Sequence, residues 1–346
     1  MEHIILCIEL DIKMELGFKN MKKKNNRIMF VDIARGIAIL LMIAGHVLET
    51  GIKRSIIFSF HMPLFIIISG YFYKERSLKE EIKNSLVHLI IPATIIMLLL
   101  INIRNIPLVG FSKSIVDSLK TIVVCWSHQS KITYGFEGVS VLWFIYMIVL
   151  VKIIFMLIRK ISKDNELMCF GFVLIVSYIG YIIGISGYWL PWSVDVSFAC
   201  MVFYYFGYLI KKYNLLNSIL TNNTLIIALI FIWIIGIRYN CIEIAVRSYP
   251  NGLWSYITAI CGSLVILKLS SFIEKKSNNI SKFLAWCGSN SLYILMAHYI
   301  EISIFAYNLN ITNLSVYKFV VISLKCLFSV FLTFIIVKLK QYLKKN

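Results

Sequence analysis

Charge is scarce in this chain, and acid is the scarcer sign. Only 15% of the 346 residues are Asp, Glu, Lys or Arg, and 17 Asp and Glu stand against 35 Lys and Arg. A soluble domain carries about a quarter of its residues charged. The eight cysteines form no CxxC and no metal-type spacing, so they read as small buried hydrophobes and a metal site is not expected. There is no P-loop, no glycine-rich dinucleotide turn after a strand, no GxSxG elbow and no HExxH. These absences exclude the common soluble nucleotide-dependent, serine-hydrolase and zinc-protease chemistries. Internal repeats, low-complexity tracts and a soluble domain at either end are also missing. Whatever chemistry the chain performs belongs to its apolar bulk.

That bulk is large: 59% of the residues are apolar and the mean hydropathy is +0.81. The apolar residues come in runs of about 18 to 22, each long enough to cross roughly 30 Å of hydrocarbon. The expected architecture is an all-α polytopic membrane bundle of about ten helices. The spans fall near 28–48, 56–73, 86–103, 139–158, 167–185, 193–210, 224–240, 252–270, 289–307 and 315–337. The net charge of +18 could suggest nucleic acid as a partner, but the Lys and Arg residues sit in short clusters between apolar runs. Threaded from a cytoplasmic N-terminus, one face collects the tract ending at Arg27, the 74–83 segment, Arg159, Lys160, Lys163, Lys211, Lys212, the 268–282 cations and the tail. The other face collects less than half as many, among them Lys53, Arg54, Arg104, Arg238 and Arg247. The positive-inside bias therefore places both ends in the cytoplasm and makes membrane lipid, not nucleic acid, the surrounding partner.

Three parts follow: a cytoplasmic N-terminal segment, 1–27; a transmembrane domain, 28–337; and a basic cytoplasmic tail, 338–346. Residues 1–16 carry four acids and make a poor signal peptide, whereas Met21-Lys22-Lys23-Lys24 resembles a natural start. Residues 1–20 are accordingly read as an over-extended start. The longest outer connection, 104–138, contains the half-apolar stretch Ile115–Trp126, which is too short to span and reads as an interfacial or re-entrant helix.

Ionisable groups inside spans are costly and mark functional sites by default. The first span carries Asp32, Arg35 and His46. Asp32 and Arg35 share a helix face; Asp32 is a catalytic candidate beside His46 and His61, or pairing with Arg35 is all that it does. Arg35 and His46, eleven residues apart, fall on one stripe about 16 Å apart along the axis. Gly36 and Gly45 flank that stripe and permit close backbone approach. In the second span His61 is expected to return at about the depth of His46, and the two imidazoles form a candidate acid–base site. Trp143, with Glu137 before it, and Asp195, preceded by Trp189 and Trp192, stand at outer mouths. The aromatics suit an interfacial belt, and the two acids are either solvated loop groups or ligand contacts. The ninth span carries His298 and Glu301 on one face, with Ser289 as the expected N-cap and Glu301 as a candidate partner of His298. Lys152 and Lys325 are expected to snorkel.

Two segments carry a family resemblance. Asp32-Ile-Ala-Arg35-Gly36 running to Gly45-His46, followed by Phe60-His61-Met62-Pro63-Leu64-Phe65 and Ser69-Gly70-Tyr71, resembles the acyltransferase-3 family, bacterial membrane proteins that O-acetylate surface sugars. The Arg–ten residues–His spacing is that family's signature. Leu142-Trp143-Phe144, the run from Phe203 to Tyr208 and the segment Gly288–His298 look like its later landmarks and are most similar to the fucose 4-O-acetylase-like branch. The resemblance covers the chain from Met21 onward. It implies a multi-pass protein of the bacterial plasma membrane, with no permanently bound cofactor. The co-substrate would be an acyl-CoA donor, acetyl-CoA, reaching the bundle from the cytoplasm, and the acceptor a glycan. Arg35 would then pair with the donor's phosphates. His46 would activate the acceptor hydroxyl as a base or carry the acyl group itself. His61 would be a second acid–base or orienting group, with His298 a weaker candidate for that role. Trp143, Glu137, Asp195 and His298 would be substrate contacts.

A different class fits some of the same residues. Intramembrane Arg, His and acids also mark proton-coupled transporters and flippases. Such carriers often show two related halves with paired broken spans, a symmetry this sequence does not display. A membrane sensor or scaffold is a third class, weakened by the lack of any fused domain.

Overall fold

The computed structural model describes residues 28–125, 138–239, 242–276, 278–307 and 309–343. Fifteen helices are found there: α1 Met29–Gly45, α2 Ile52–Tyr71, α3 Leu78–Ser85, α4 Ile91–Val109, α5 Phe111–Val124, α6 Trp143–Ile161, α7 Glu166–Ile185, α8 Val194–Ala199, α9 Met201–Lys212, α10 Leu215–Thr221, α11 Asn223–Arg238, α12 Leu253–Lys275, α13 Asn279–Ser289, α14 Ser291–Ile304 and α15 Leu314–Leu343. Among the described residues the one β feature is an isolated antiparallel bridge, Glu243 to Ser248. The chain is an all-α, multi-pass membrane bundle.

Six helices are long and apolar enough to cross a membrane: α2, α3 with α4, α6 with its leading turn, α7, α12 and α15. Two bent pairs raise the number to eight: Pro191–Ala199 with Met201–Lys212, bent by 55°, and Leu215–Thr221 with Asn223–Arg238, bent by 82°. The sequence predicts about ten. The difference lies in α1 and α14, which occupy the first and ninth expected spans but run only 17 and 14 residues. Each gives way to irregular chain before a full hydrocarbon crossing of about 20 residues is complete.

Several helix starts are set by short polar side chains. Ser77, Asn165, Asn222 and Asn278 each accept a hydrogen bond from a first-turn backbone N–H of α3, α7, α11 and α13, satisfying a donor the helix leaves open. Ser289 does not cap α14. It closes α13 with its hydroxyl donating to the Trp286 carbonyl, and Asn290 takes the N-cap position.

α1 and α2 form the centre. α1 packs on α13, α12, α14 and α15, and α2 packs on α9, α12 and α13's neighbour α1. Glycine makes the tightest approach possible. A Cβ on Gly36 would lie 2.0 Å from the Leu284 carbonyl oxygen, and one on Gly288 would lie 1.7 Å from the Asp32 carbonyl oxygen. The two backbones therefore touch, as in small-residue membrane interfaces. α15, α4 and α7 lie outside: only 17% of the α15 span is buried, against 61% for α6. Their exposed side chains are large and apolar, such as Leu167, Phe319 and Phe331. Such continuous apolar faces belong against lipid. The expected helix within 104–138 is present as α5. It lies on α4, where Asn102 bonds both Ser114 and Ser118, while residues 126–137 are outside the described residues.

Candidate active site

Two chambers meet inside the bundle. The first, about 250 Å³, is lined by Arg35, Met42 and His46 of α1, His61, Phe65 and Ser69 of α2, Trp143, Phe144 and Lys152 of α6, Ala245 of the 242–252 loop, and Ser291 and Leu295 of α14. The second, about 340 Å³, is lined by Arg35, Ser69, Phe72, Tyr73, Lys74, Arg76, Glu81, Lys152 and Tyr204. Arg35, Ser69 and Lys152 line both, so the two chambers adjoin at these residues. Of the stripe read from α1, Arg35 lines both chambers and His46 lines the first.

The two chambers differ in chemistry. The second chamber has four cations and one carboxylate among its lining side chains. Buried Glu81 organises them: Arg76 Nη1 lies 3.2 Å from one of its oxygens, and Lys152 Nζ 3.5 Å from the other. Ser85 donates to Glu81 as well, at 3.2 Å. Lys152 therefore does not snorkel to a surface but is held by an internal carboxylate. Arg35 lies 3.4 Å from Asp32 and over the Phe72 ring, 5.3 Å from its centroid. Asp32 is absent from the lining of either chamber. It orients Arg35 from one helical turn behind.

The first chamber is largely aromatic and aliphatic, with two imidazoles. His46, the residue that closes α1, exposes its ring to the chamber. His61 is buried, and its Nδ1 lies 2.8 Å from the Ile57 carbonyl of its own helix. A carbonyl only accepts, so Nδ1 carries the proton and Nε2 keeps the lone pair. Pro63, two residues on, removes a donor from the same stretch of α2. The imidazoles are not level as the sequence suggests. Gly45 faces Ile57 and Phe58, which sets His61 about one helical turn, ~5 Å, beyond His46. Trp143 and Phe144 line the chamber opposite them.

The remaining expected residues are placed differently. His298 is fully buried and lines neither chamber; its ring stands beside that of His46, centroids 5.4 Å apart. Glu301 Oε2 lies 3.0 Å from His298 Nδ1, and Lys325 Nζ donates to Glu301 Oε1 at 2.7 Å. Lys325 is thus paired inside the bundle and does not snorkel. Asp195 is not a solvated loop acid, and it lines neither chamber. It is fully buried and gripped by Arg247, Nε to Oδ2 at 2.8 Å and Nη2 to Oδ1 at 3.3 Å, with Trp189 under the guanidinium at 3.7 Å. Glu137 lies outside the described residues. No cluster of three metal-ligating side chains occurs among the described residues.

Sequence reasoning passed over the Glu81–Arg76–Lys152 group. Lys152 in the middle of an apolar run was the available signal, since a cation at such depth needs a counter-ion. Glu81 sits in a charged surface-like segment and gave no signal.

An all-α membrane bundle thus encloses a basic chamber beside one that bears two histidines. A family model described as an acyltransferase domain, that of acyltransferase-3, matches residues 28–338. The chain belongs to this family. It is similar to nodulation protein NolL of Mesorhizobium japonicum, with 28% identity over 158 residues, 41% of this chain and 38% of that protein. It is also similar to nodulation protein NolL of Sinorhizobium fredii, with 41% identity over 58 residues, 14% of this chain and 16% of that protein. The matched regions thus span well under half the length of either relative. No solved structure matches the chain.

Proposed function

We propose that the protein transfers an acetyl group from cytoplasmic acetyl-CoA to a hydroxyl of a cell-surface or lipid-linked sugar, in the plasma membrane of a bacterial cell. The observation that carries this is the pair of adjoining chambers, one basic and the other bearing two imidazoles. With both chain ends in the cytoplasm, the basic chamber faces the donor. Arg35, Lys74 and Arg76 suit the phosphates of a coenzyme A, where charge-assisted bonds are strongest. The extended pantetheine arm runs past Ser69 and delivers the thioester to the histidine chamber. Phe65, Trp143 and Phe144 offer apolar ring faces to a sugar.

At His46 the acceptor hydroxyl gives its proton to the neutral imidazole as its oxygen attacks the thioester carbonyl. The C–S bond breaks, the acetyl ester forms, and the proton passes from the imidazolium to the departing thiolate. Base assistance of this kind contributes about 10² to 10⁴ in rate. His61, able only to accept at Nε2, orients a hydroxyl of the acceptor.

The test uses the purified protein in nanodiscs with labelled acetyl-CoA and glycan extract from its host, beside mass analysis of surface glycans from a deletion strain. Transfer of label, and loss of an acetyl group from one glycan in the deletion strain, are expected. Glycan flux across proteoliposomes without acetyl-CoA, and no label transferred, would overturn the proposal in favour of a carrier.

A further inference from the structure

His46 is backed by groups that the transfer scheme leaves unused. On α14, His298 and Glu301 are both fully buried, three residues apart, with His298 Nδ1 and Glu301 Oε2 at 3.0 Å. On α15, Lys325 is largely buried and donates to the other oxygen of Glu301 at 2.7 Å. Neither ring nitrogen of His298 has an aligned hydrogen bond among the described residues, and Glu301 Oε2 is likewise left without one. The His298 ring faces the His46 ring, 5.4 Å away and tilted by 38°. A row of four ionisable side chains therefore runs from the chamber wall into the bundle: His46, His298, Glu301, Lys325.

Such a row is poorly explained by stability. Burying an ion pair returns little net free energy over an apolar replacement, and buried polar atoms left unbonded cost more still. That cost falls on the imidazole that faces His46. A carboxylate that holds one histidine nitrogen sets which nitrogen of that ring carries the proton and how the ring is turned. Here Glu301 can fix His298 with its proton on Nδ1, which leaves Nε2 as an acceptor toward α1. Small rotations of the two rings would bring a nitrogen of His46 to that acceptor. A proton on the inner nitrogen of His46 leaves the chamber-facing nitrogen free to act.

We infer that His298, held by the Glu301–Lys325 pair, is a positioning residue that orients His46 and keeps its chamber-facing nitrogen unprotonated. This rests on His46 being the reactive imidazole. Its consequence for turnover also rests on the transfer reaction proposed above, but its consequence for His46 itself does not.

Two variants separate the role from mere packing. His298→Phe keeps a ring of similar size, and Glu301→Gln keeps shape and hydrogen-bonding capacity. Variants are used only if they elute from size exclusion as the parent does. The first readout needs no acceptor or donor: carbethoxylation of His46 by diethylpyrocarbonate, followed by peptide mass spectrometry, with His61 as internal reference. His46 should react about tenfold more slowly in both variants while His61 keeps its rate. The second is acetyl transfer, where kcat should fall by about tenfold or more with KM for acetyl-CoA unchanged. An unchanged or faster His46 reaction, or an equal change at His61, would overturn the inference whatever the transfer assay gives. If the parent transfers no acetyl yet His46 slows in the variants, the positioning role stands and the proposed reaction falls.

Discussion

Arg247 donates to both oxygens of Asp195 across 52 residues of chain, at 2.8 and 3.3 Å, and both side chains are buried. The pair ties the loop that follows α11 to the start of α8. Ala245 of that loop lines the histidine chamber. Leu190 N donates to Asp195 Oδ1 as well, at 3.3 Å. Removing one partner of a buried pair leaves the other charge uncompensated, which costs about 3–5 kcal/mol. Asp195→Ala should therefore lower the melting temperature in detergent sharply and lose activity in step with the folded fraction. The surviving folded protein should keep its KM for the sugar acceptor. A selective rise in acceptor KM at unchanged stability would return Asp195 to the ligand site.

Arg35 and Lys152 line both chambers. If the basic chamber takes the donor's phosphates, Arg35→Ala should raise KM for acetyl-CoA by about 10- to 100-fold, the equivalent of a charge-assisted hydrogen bond of ~1.5–3 kcal/mol. Acceptor KM should move much less, and the parent's donor affinity should weaken with added salt more steeply than the variant's. Steady-state kinetics with each substrate varied in turn decides this. Lys152→Met should shift the same constant in the same direction, since it also frees Glu81 from one of its cations.

The parts of this site that could be read in the sequence are the parts made by one helix. Arg35 and His46 line one chamber because eleven residues make about three turns, a relation complete within α1. His298 and Glu301, three apart on α14, are legible for the same reason. Pairs made between helices were not: Asp195 gave no sign of Arg247, nor Lys325 of Glu301, nor Lys152 of Glu81, because only packing brings them together. The apolar runs located the helices, yet not their breaks. The bends at Cys200 and Asn222 and the short α1 and α14 depend on what each segment packs against, and hydropathy does not register that. His61 was set level with His46 from the expected length of the turn between them, and the observed contact of Gly45 with Phe58 moves it about one turn deeper.

The contact of α1 with α13 leaves no room for a methyl group. A Cβ on Gly36 would sit 2.0 Å from a backbone oxygen of α13, which cannot swing aside as a side chain would. Gly36→Ala should push the helices apart and cost about 1–3 kcal/mol, the usual range for overpacking. Arg35 is the next residue, so the donor side should suffer before the histidine chamber does. The expected result is a lowered melting temperature with a raised KM for acetyl-CoA, while diethylpyrocarbonate still modifies His46 at the parent rate. Gly171→Ala, where a Cβ meets nothing within 4 Å, is the matched control and should leave all three unchanged.

His46 and His61 face the same chamber with different freedom, and their substitutions should differ accordingly. His46 is exposed to the chamber, with the His298 ring packed beside it. His61 is anchored by its own helix, at 2.8 Å from the Ile57 carbonyl, and packs edge-on to Phe58 at 4.9 Å. His46→Ala should cut acetyl transfer by about 10² to 10⁴ with donor KM and thermal stability preserved, because little packing is lost. His61→Ala should lower stability as well as rate, since it opens space beside Phe58 and strips a buried hydrogen bond of about 1 kcal/mol. Added imidazole is the discriminating measurement. It should restore part of the activity of His46→Ala, where the vacated space opens on the chamber, and little of His61→Ala. Rescue of the second variant and not the first would exchange the roles assigned to the two histidines.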